Sequence, residues 1–385
     1  MLQSLIDFIR GYYRTSSLVP LHAPVFRGNE KSYVAETIDS TFVSSVGAFV
    51  DSFERNVAAY TGSPCAIATV NGTAALHVAL RLVGVQRDDY VVTQPLTFVA
   101  TCNAIAYCGA TPIFVDVDRH TLGLSPTALG AWLEEHAYRD DTGQCRRRAD
   151  NKVIRACLPM HTFGHPVDLD RLLQVCDFWA LPLVEDAAES LGSMYHGRHT
   201  GTFGDLGTLS FNGNKIITTG GGGMLLTCEE LGKKAKHLTT TAKQPHSYEY
   251  VHDELGYNYR LPNINAALGC AQLEQLETYI TEKRQLATEY ASCLAGSELQ
   301  FVREPEGCRS NYWLNAVVCS DRAHRDHLLQ VTNDQGVMTR PIWQLMNRLP
   351  MYAGVPAGEL TNASWLEERI VNLPSSIRGH GGMEV

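Results

Sequence analysis

Two charged residues stand where a charge needs a reason. Lys215 lies in SFNGNKIITTGGGG, residues 210–223, just ahead of four glycines. A phosphate loop of the Walker type places its glycines before the lysine and a Ser or Thr directly after it. Here Ile216 follows the lysine and the glycines come later, so the order excludes that chemistry. A lysine amine attacks carbonyls, forming Schiff bases, when burial or a nearby cation disfavours its ammonium form; the plainer alternative is a solvated surface lysine. Asp186 ends the apolar run LPLVEDA. In an open parallel sheet, ligands bind beyond the carboxyl ends of the strands, and a carboxylate buried there unpaired is costly. It could accept from a cationic ring nitrogen, worth roughly 4 kcal/mol at about 4 Å and an effective dielectric near 20. It could equally be a solvated helix cap. In VNGTAALHVA a strand ends, Gly72-Thr73 follows and a helix starts. Free N–H groups and a partial positive charge at a helix start make an anion site, or Thr73 simply caps the helix.

Taken together, these are an amine for a carbonyl, a carboxylate for a pyridinium nitrogen and an anion site for a phosphate, the three things pyridoxal 5′-phosphate needs from a protein. Ser210, five residues before Lys215, adds a hydroxyl that can donate to the phosphate. The glycine run after the lysine lets backbone pack closely beneath such a cofactor.

These residues must be placed by a scaffold. Apolar β-rich runs at 65–70, 90–94, 111–117, 153–162 and 181–187 alternate with helical stretches, among them 98–108, 126–137 and 168–178. That alternation predicts βαβ units around a mostly parallel sheet buried on both faces. Two further strands are expected at 207–211 and 223–227, then one long helix over about 264–294. After Gly296, LQFVRE, NYWLNAVVC and VMTRPIW read as strands of a second, smaller α/β unit, with a helix near 321–330. MLQSLIDFIRGYY reads as a short amphipathic helix at the N-terminus, with dimer packing its expected use. Net charge is −9 over 385 residues, which argues against general nucleic-acid binding. No apolar run approaches the ~20 residues of a membrane span. Eleven cysteines without a CxxC pair suit a reduced, cytoplasmic protein. His161 and His165 are four apart, but Gly164 and Pro166 make a helical metal-ligand pair improbable, so no metal is expected.

The segments VNGTAALHVAL, PLTFVAT, VEDAAESLGS, GDLGTLSFNGNKIITTGGGGML and LGYNYRLPNINAALGCAQLE carry, in order, a resemblance that extends from about residue 20 to 375. They resemble the DegT-type nucleotide-sugar aminotransferases, pyridoxal phosphate enzymes of the aspartate-aminotransferase fold. The resemblance implies an α/β fold-type I transferase. Its large domain carries a mixed, mostly parallel seven-stranded sheet, with a smaller C-terminal α/β domain. The segments expected are an N-terminal helical extension (1–22), a cofactor-binding domain (23–265), and a long helix with the small domain (266–385).

It also implies roles. Lys215 would hold the cofactor and shuttle a proton to the sugar carbon, and Asp186 would pair with the pyridinium nitrogen. Phe98 would stack on the ring, although a buried Phe is more often plain core. Thr73 and Ala74 would offer backbone N–H groups to the phosphate, with Ser210 adding its hydroxyl. Asn258 would reach the phosphate across the interface of an obligate homodimer with composite sites. Glu189 would lie near sugar or cofactor. His161, Arg260, Arg340 and Lys243 are candidates for the substrate, each with a structural or surface reading beside it. Partner molecules would be L-glutamate and a nucleotide-linked keto sugar. FVSSVGAFVDSFE, PMHTFGHPVDL, FNGNKIITTGGGG, TRPIWQLMNRLPMY and VNLPSS resemble the branch that aminates UDP-4-keto-6-deoxy-N-acetylhexosamines for bacillosamine and legionaminic acid. A dTDP- or GDP-linked keto sugar is the alternative. Dehydratases on this fold replace the lysine with histidine, and Lys215 weighs against that reading. A non-catalytic regulator would need a DNA-binding module, and no helix-turn-helix signal or basic stripe is present.

Overall fold

The computed structural model describes residues 2–378. Met1 and residues 379–385, which the expected segments 1–22 and 266–385 include, lie outside the described residues. Seven short strands build the central sheet: β1 (Cys65–Thr69), β2 (Tyr90–Thr93), β3 (Thr111–Phe114), β4 (Ile154–Leu158), β5 (Val184–Asp186), β6 (Leu206–Ser210) and β7 (Gly223–Thr227). A three-stranded part (β3-β2-β4) and a four-stranded part (β5-β6-β7-β1) are joined by parallel bridges between Cys157 and Leu183 and between Met160 and Asp186. All pairings are parallel except those of β7, which runs antiparallel to both β6 and β1.

Both faces of this sheet are covered. Along β1, Ala66 and Ala68 enter one core while Ile67 enters another; along β7, Met224 and Leu226 oppose Leu225 in the same way. Successive strand side chains point to opposite faces, so a doubly covered strand needs apolar residues at every position. That is why these strands are continuous apolar runs. The 153–162 run stops being strand at Leu158, before Pro159, and Thr162–Gly164 forms a 3-10 turn instead.

The helices named below are α1 (Leu2–Tyr13), α2 (Gly72–Leu82), α3 (Val99–Tyr107), α4 (Asn263–Glu274) and α5 (Leu276–Cys293). The single long helix expected over 264–294 is therefore two, parted at Gln275. No glycine or proline marks the break. Tertiary anchoring makes it: Gln272 is buried and donates to Val25 O (2.9 Å) and Glu30 Oε1 (2.7 Å), while Gly269 faces Phe53 so closely that a Cβ there would sit 2.8 Å from the ring.

A second sheet, β8 (Gln300–Phe301), β9 (Asn315–Val318), β10 (Arg340–Pro341) and β11 (Ile370–Leu373), is antiparallel in the order β8-β9-β11-β10. The expected N-terminal helix, α1, packs against this region. Leu5, Ile6, Ile9, Tyr12 and Tyr13 are packed with Leu286 and Tyr290 of α5 and with Val371 and Leu373 of β11. The apolar face of α1 is mostly covered within its own chain, with Leu2 and Phe8 only partly buried.

One buried charge ties α5 to this region. Among the described residues the Lys283 ammonium has no carboxylate partner, and it donates to Trp313 O (3.1 Å) and Ser375 O (2.6 Å). Burial pulls its pKa down to about 7. Above that pH the folded protein has lost a proton that the unfolded chain still holds, so this site adds stability as pH rises toward the free-lysine range. From pH 7 to 9 the wild type should gain about 2 kcal/mol relative to Lys283→Met, since the slope reaches its full value of roughly 1.4 kcal/mol per unit only above the folded pKa. Urea melts of both proteins at the two pH values check it, and parallel pH profiles would refute it.

Candidate active site

The central sheet delivers Asp186, Ser210 and the Gly72-Thr73 helix start to one edge. Asp186 ends β5 and Ser210 ends β6; β1 ends at Thr69, and Asn71 then caps α2. Gly223 opens β7 between Ser210 and Thr69 in the ladder. Two glycines permit this crowding. A Cβ on Gly72 would lie 2.9 Å from Ser210 Cβ, and one on Gly223 would lie 2.4 Å from Asn71 O. The expected close backbone packing after Lys215 thus occurs at Gly223, which brings the start of α2 against the end of β6 and the start of β7.

These residues line a cavity of about 380 Å³. Its wall contains Gly72, Thr73, Phe98, Asp186, Glu189, Ser210 and Lys215, joined by Thr101, Asn214, Trp313 and Trp343. Lys215 Nζ donates to Glu189 Oε1 (3.2 Å) and sits 3.9 Å from the centre of the Trp313 ring. Glu189 Oε2 accepts from Phe163 N (2.9 Å). Burial drives the Glu189 pKa up to about 7, against the pull of the Lys215 ammonium.

Asp186 is 2 % exposed. Oδ2 accepts from Thr101 Oγ1 (2.7 Å) and Oδ1 from Ala188 N (3.2 Å). Burial raises its pKa, with Thr101, the Ala188 N–H and Lys215 opposing. The cavity therefore holds two buried carboxylates and one ammonium, and that ammonium bonds Glu189. Asp186 is a carboxylate with hydrogen bonds but, among the described residues, no cation bonded to it. A buried charge in that condition asks for a positive partner.

At the opposite requirement, an anion, α2 offers its first turn. Asn71 Oδ1 accepts from Ala74 N (2.8 Å), so Ala74 does not have the free N–H expected of it, and it does not line the cavity. The N–H groups of Gly72 and Thr73, the first two helical positions, have no intrahelical acceptor. With the Ser210 hydroxyl they form an anion cradle. A cation-seeking carboxylate, an amine and an anion cradle in one cavity fit the donor needs of pyridoxal 5′-phosphate.

Other expected residues lie elsewhere. His161 is fully buried, bonds Glu185 Oε2 through Nε2 (3.0 Å) and accepts from Val167 N at Nδ1 (3.2 Å). Both ring nitrogens are used, and no face is left for a sugar. Its backbone N donates to Asp186 O (3.1 Å), so it supports the aspartate from behind. His165 packs its ring edge-on against Tyr312 instead of pairing with His161. Asn258 and Arg260 bond each other at 3.1 Å beside the end of β1, outside this chain's cavity. Arg340 bonds Asn333 (2.9 Å) on the surface, and Lys243 lies over the Tyr250 ring in an exposed hairpin. Sequence reasoning missed Thr101, Trp313 and Trp343. Thr101 stood in the quoted PLTFVAT segment, where a hydroxyl three residues after Phe98 was the available signal.

The described residues contain no helix long and apolar enough to cross a membrane, and the eleven cysteines are free thiols. The family model for the DegT/DnrJ/EryC1/StrS aminotransferases matches residues 25–379. EpsN of Bacillus subtilis (strain 168), provisionally named a pyridoxal phosphate-dependent aminotransferase, is 38% identical over 334 residues, covering 86% of this chain and 83% of its own. GDP-perosamine synthase of Escherichia coli O157:H7 is 36% identical over 362 residues and 93% of each chain. Among solved structures, the aminotransferase TlmJ from Streptoalloteichus hindustanus superposes with a TM-score of 0.84 at 27% identity, over 93% of this chain and 94% of its own.

Proposed function

Because the chain belongs to the DegT/DnrJ/EryC1/StrS aminotransferase family and is a pyridoxal 5′-phosphate-dependent sugar aminotransferase, we propose that it moves an amino group from L-glutamate to the C4 ketone of a nucleotide-linked 4-keto-6-deoxy sugar. The proposed sugar is a UDP-linked N-acetylhexosamine, read from the sequence segments that resemble that branch. The observation that carries the reading is the pairing of Lys215 with Glu189 in a cavity that also holds Asp186 without a cation.

The bound cofactor supplies an electron sink for the carbon that loses its proton. The chain's own residues do the rest. Asp186 holds the ring nitrogen in its cationic form. The N–H groups of Gly72 and Thr73 and the Ser210 hydroxyl hold the phosphate. Phe98, at the mouth of the cavity, covers the ring. Lys215 Nζ delivers the proton to the sugar C4, and Glu189, with a pKa near 7, is poised to hold a proton for that amine.

Asn258 and Arg260 act, in this reading, in the cavity of a second copy. The segment leading to them exposes Tyr248 (84%), Tyr250 (83%) and Leu255 (78%). Apolar side chains so exposed in one segment suit a protein interface, and a homodimer with composite sites would bury them.

A second reading is a GDP-linked sugar, favoured by relatives named GDP-perosamine synthase. One spectroscopic experiment separates the two. The holoenzyme is converted with glutamate, and UDP-, dTDP- and GDP-linked 4-keto-6-deoxy sugars are added separately. The long-wavelength cofactor absorbance should return at least about tenfold faster with the UDP-N-acetyl sugar, a 1.4 kcal/mol preference. Fastest return with the GDP sugar would move the substrate to the second reading. No spectral response to glutamate would sink both.

A further inference from the structure

The cavity is chemically two-sided. Asn71, Thr73, Asp186, Ser210 and Lys215 supply polar groups, whereas Phe98, Trp313 and Trp343 supply aromatic faces. The three rings are not equivalent. Trp313 is 4 % exposed, its indole N–H donates to Asn214 O (2.7 Å), and the Lys215 amine lies over its ring. Phe98, on α3's leading edge, is assigned above to the cofactor ring. Trp343 has neither commitment. It is half-buried, its indole N–H has no partner among the described residues, and its ring is braced by Phe163 at 5.3 Å and Phe98 at 6.5 Å.

The backbone around Trp343 is fixed from both sheets. Ile342 N donates to Ile370 O (3.3 Å) in the small sheet, and Met346 N donates to Pro95 O (2.9 Å) beyond the end of β2. A large ring held in this way costs little entropy when a ligand settles on it. Its chemistry then selects the ligand. Glutamate is flexible, carries two carboxylates and has no apolar face, so an indole offers it little. A pyranose has a C–H face, and a 6-deoxy sugar adds a methyl group; both lie well against an aromatic ring.

We propose that Trp343 is the platform on which the hexose ring of the acceptor stacks, making it a specificity-determining residue for the sugar half of the reaction. This rests on the reading of the cavity as a sugar aminotransferase site. Trp343 acts on the acceptor and its ring is the discriminating feature, so Phe at this position restores part of what Ala removes.

The test compares wild-type, Trp343→Ala and Trp343→Phe holoenzymes in both half-reactions by single-turnover absorbance. The probes are glutamate and whichever UDP-, dTDP- or GDP-linked 4-keto-6-deoxy sugar the wild type turns over fastest. The ratio of the second-order rate constant for the sugar to that for glutamate should fall at least tenfold in Trp343→Ala and recover in part in Trp343→Phe. Calorimetric affinity for the nucleotide sugar should fall by more than that for the free nucleotide. Equal losses in both half-reactions would make Trp343 a packing residue and overturn the proposal. So would equal losses for sugar nucleotide and free nucleotide, which would place the base on the ring. A wild type that responds to glutamate but gives an unchanged ratio in the variants overturns the role of Trp343 alone; a wild type silent toward glutamate overturns the functional reading beneath it.

Discussion

Lys215→Ala is expected to lower the single-turnover rate with the keto sugar by more than about 10⁴-fold, beyond the usual range for loss of one general acid–base group, because the same amine is also the nucleophile. Lys215→Arg should fail nearly as badly. A guanidinium keeps the charge beside Glu189 and over Trp313, yet it stays protonated and cannot deliver a neutral nitrogen. The two variants together separate chemistry from charge. If Arg rescued turnover, Lys215 would be serving only as a counter-ion. The alanine variant also leaves Glu189 buried without its ammonium. That carboxyl titrates near 7 with Lys215 present, above its ordinary range. Stability from such a group is fully present below the unfolded pKa and is lost as pH rises through the folded one. Removing Lys215 pushes the folded value higher still, so the variant should lose stability over a window that still opens near the unfolded carboxyl pKa but extends above pH 7. Thermal melts across pH 5 to 9 read this independently of turnover, and a near-wild-type rate in Lys215→Ala would overturn the assignment.

The parts of this site that were legible in the sequence are those at strand ends. Ser210 follows the run LGTL, and Asp186 follows the apolar run LPLV with only Glu185 between, and such runs announce a strand buried on both faces. Gly72 and Gly223 were visible as glycines at a turn, though the reason for them, a shared contact around Asn71, needed three dimensions. What could not be read were groups brought in from far along the chain. Thr101 reaches Asp186 across 85 residues, and Trp313 meets Lys215 from beyond α5. His161 misled because it sits one strand away from Asp186. The neighbouring Glu185 points to the other face of β5 and takes the imidazole with it. Ala74 misled because a helix start has several N–H groups, and only the position of the Asn71 side chain decides which of them is spent. The break at Gln275 has no local signal at all, since the side chain that causes it answers to Val25 and Glu30 more than 200 residues earlier.

Asp186→Asn should cost about 10³-fold in turnover while leaving the cofactor-free protein at least as stable as wild type. The opposite signs are the substance of the prediction. Asparagine keeps the volume of the side chain and retains an oxygen for the Ala188 N–H (3.2 Å), so the local architecture survives. What disappears is the negative charge. Paired with a cationic ring nitrogen at about 4 Å, that charge contributes roughly 4 kcal/mol at an effective dielectric near 20, and each 1.36 kcal/mol is tenfold in rate. Without the ring nitrogen the same charge is a burden, since burial holds the Asp186 pKa above its ordinary value and the ionised form costs stability at neutral pH. Removing it should raise the melting temperature of cofactor-free protein or leave it unchanged. A merely structural aspartate would behave otherwise: turnover and stability would fall together. Single-turnover rates for the holoenzyme and melts of the cofactor-free protein distinguish the two, and a parallel fall in both would mean that Asp186 holds the fold through Thr101 and Ala188 and has no cationic partner to serve.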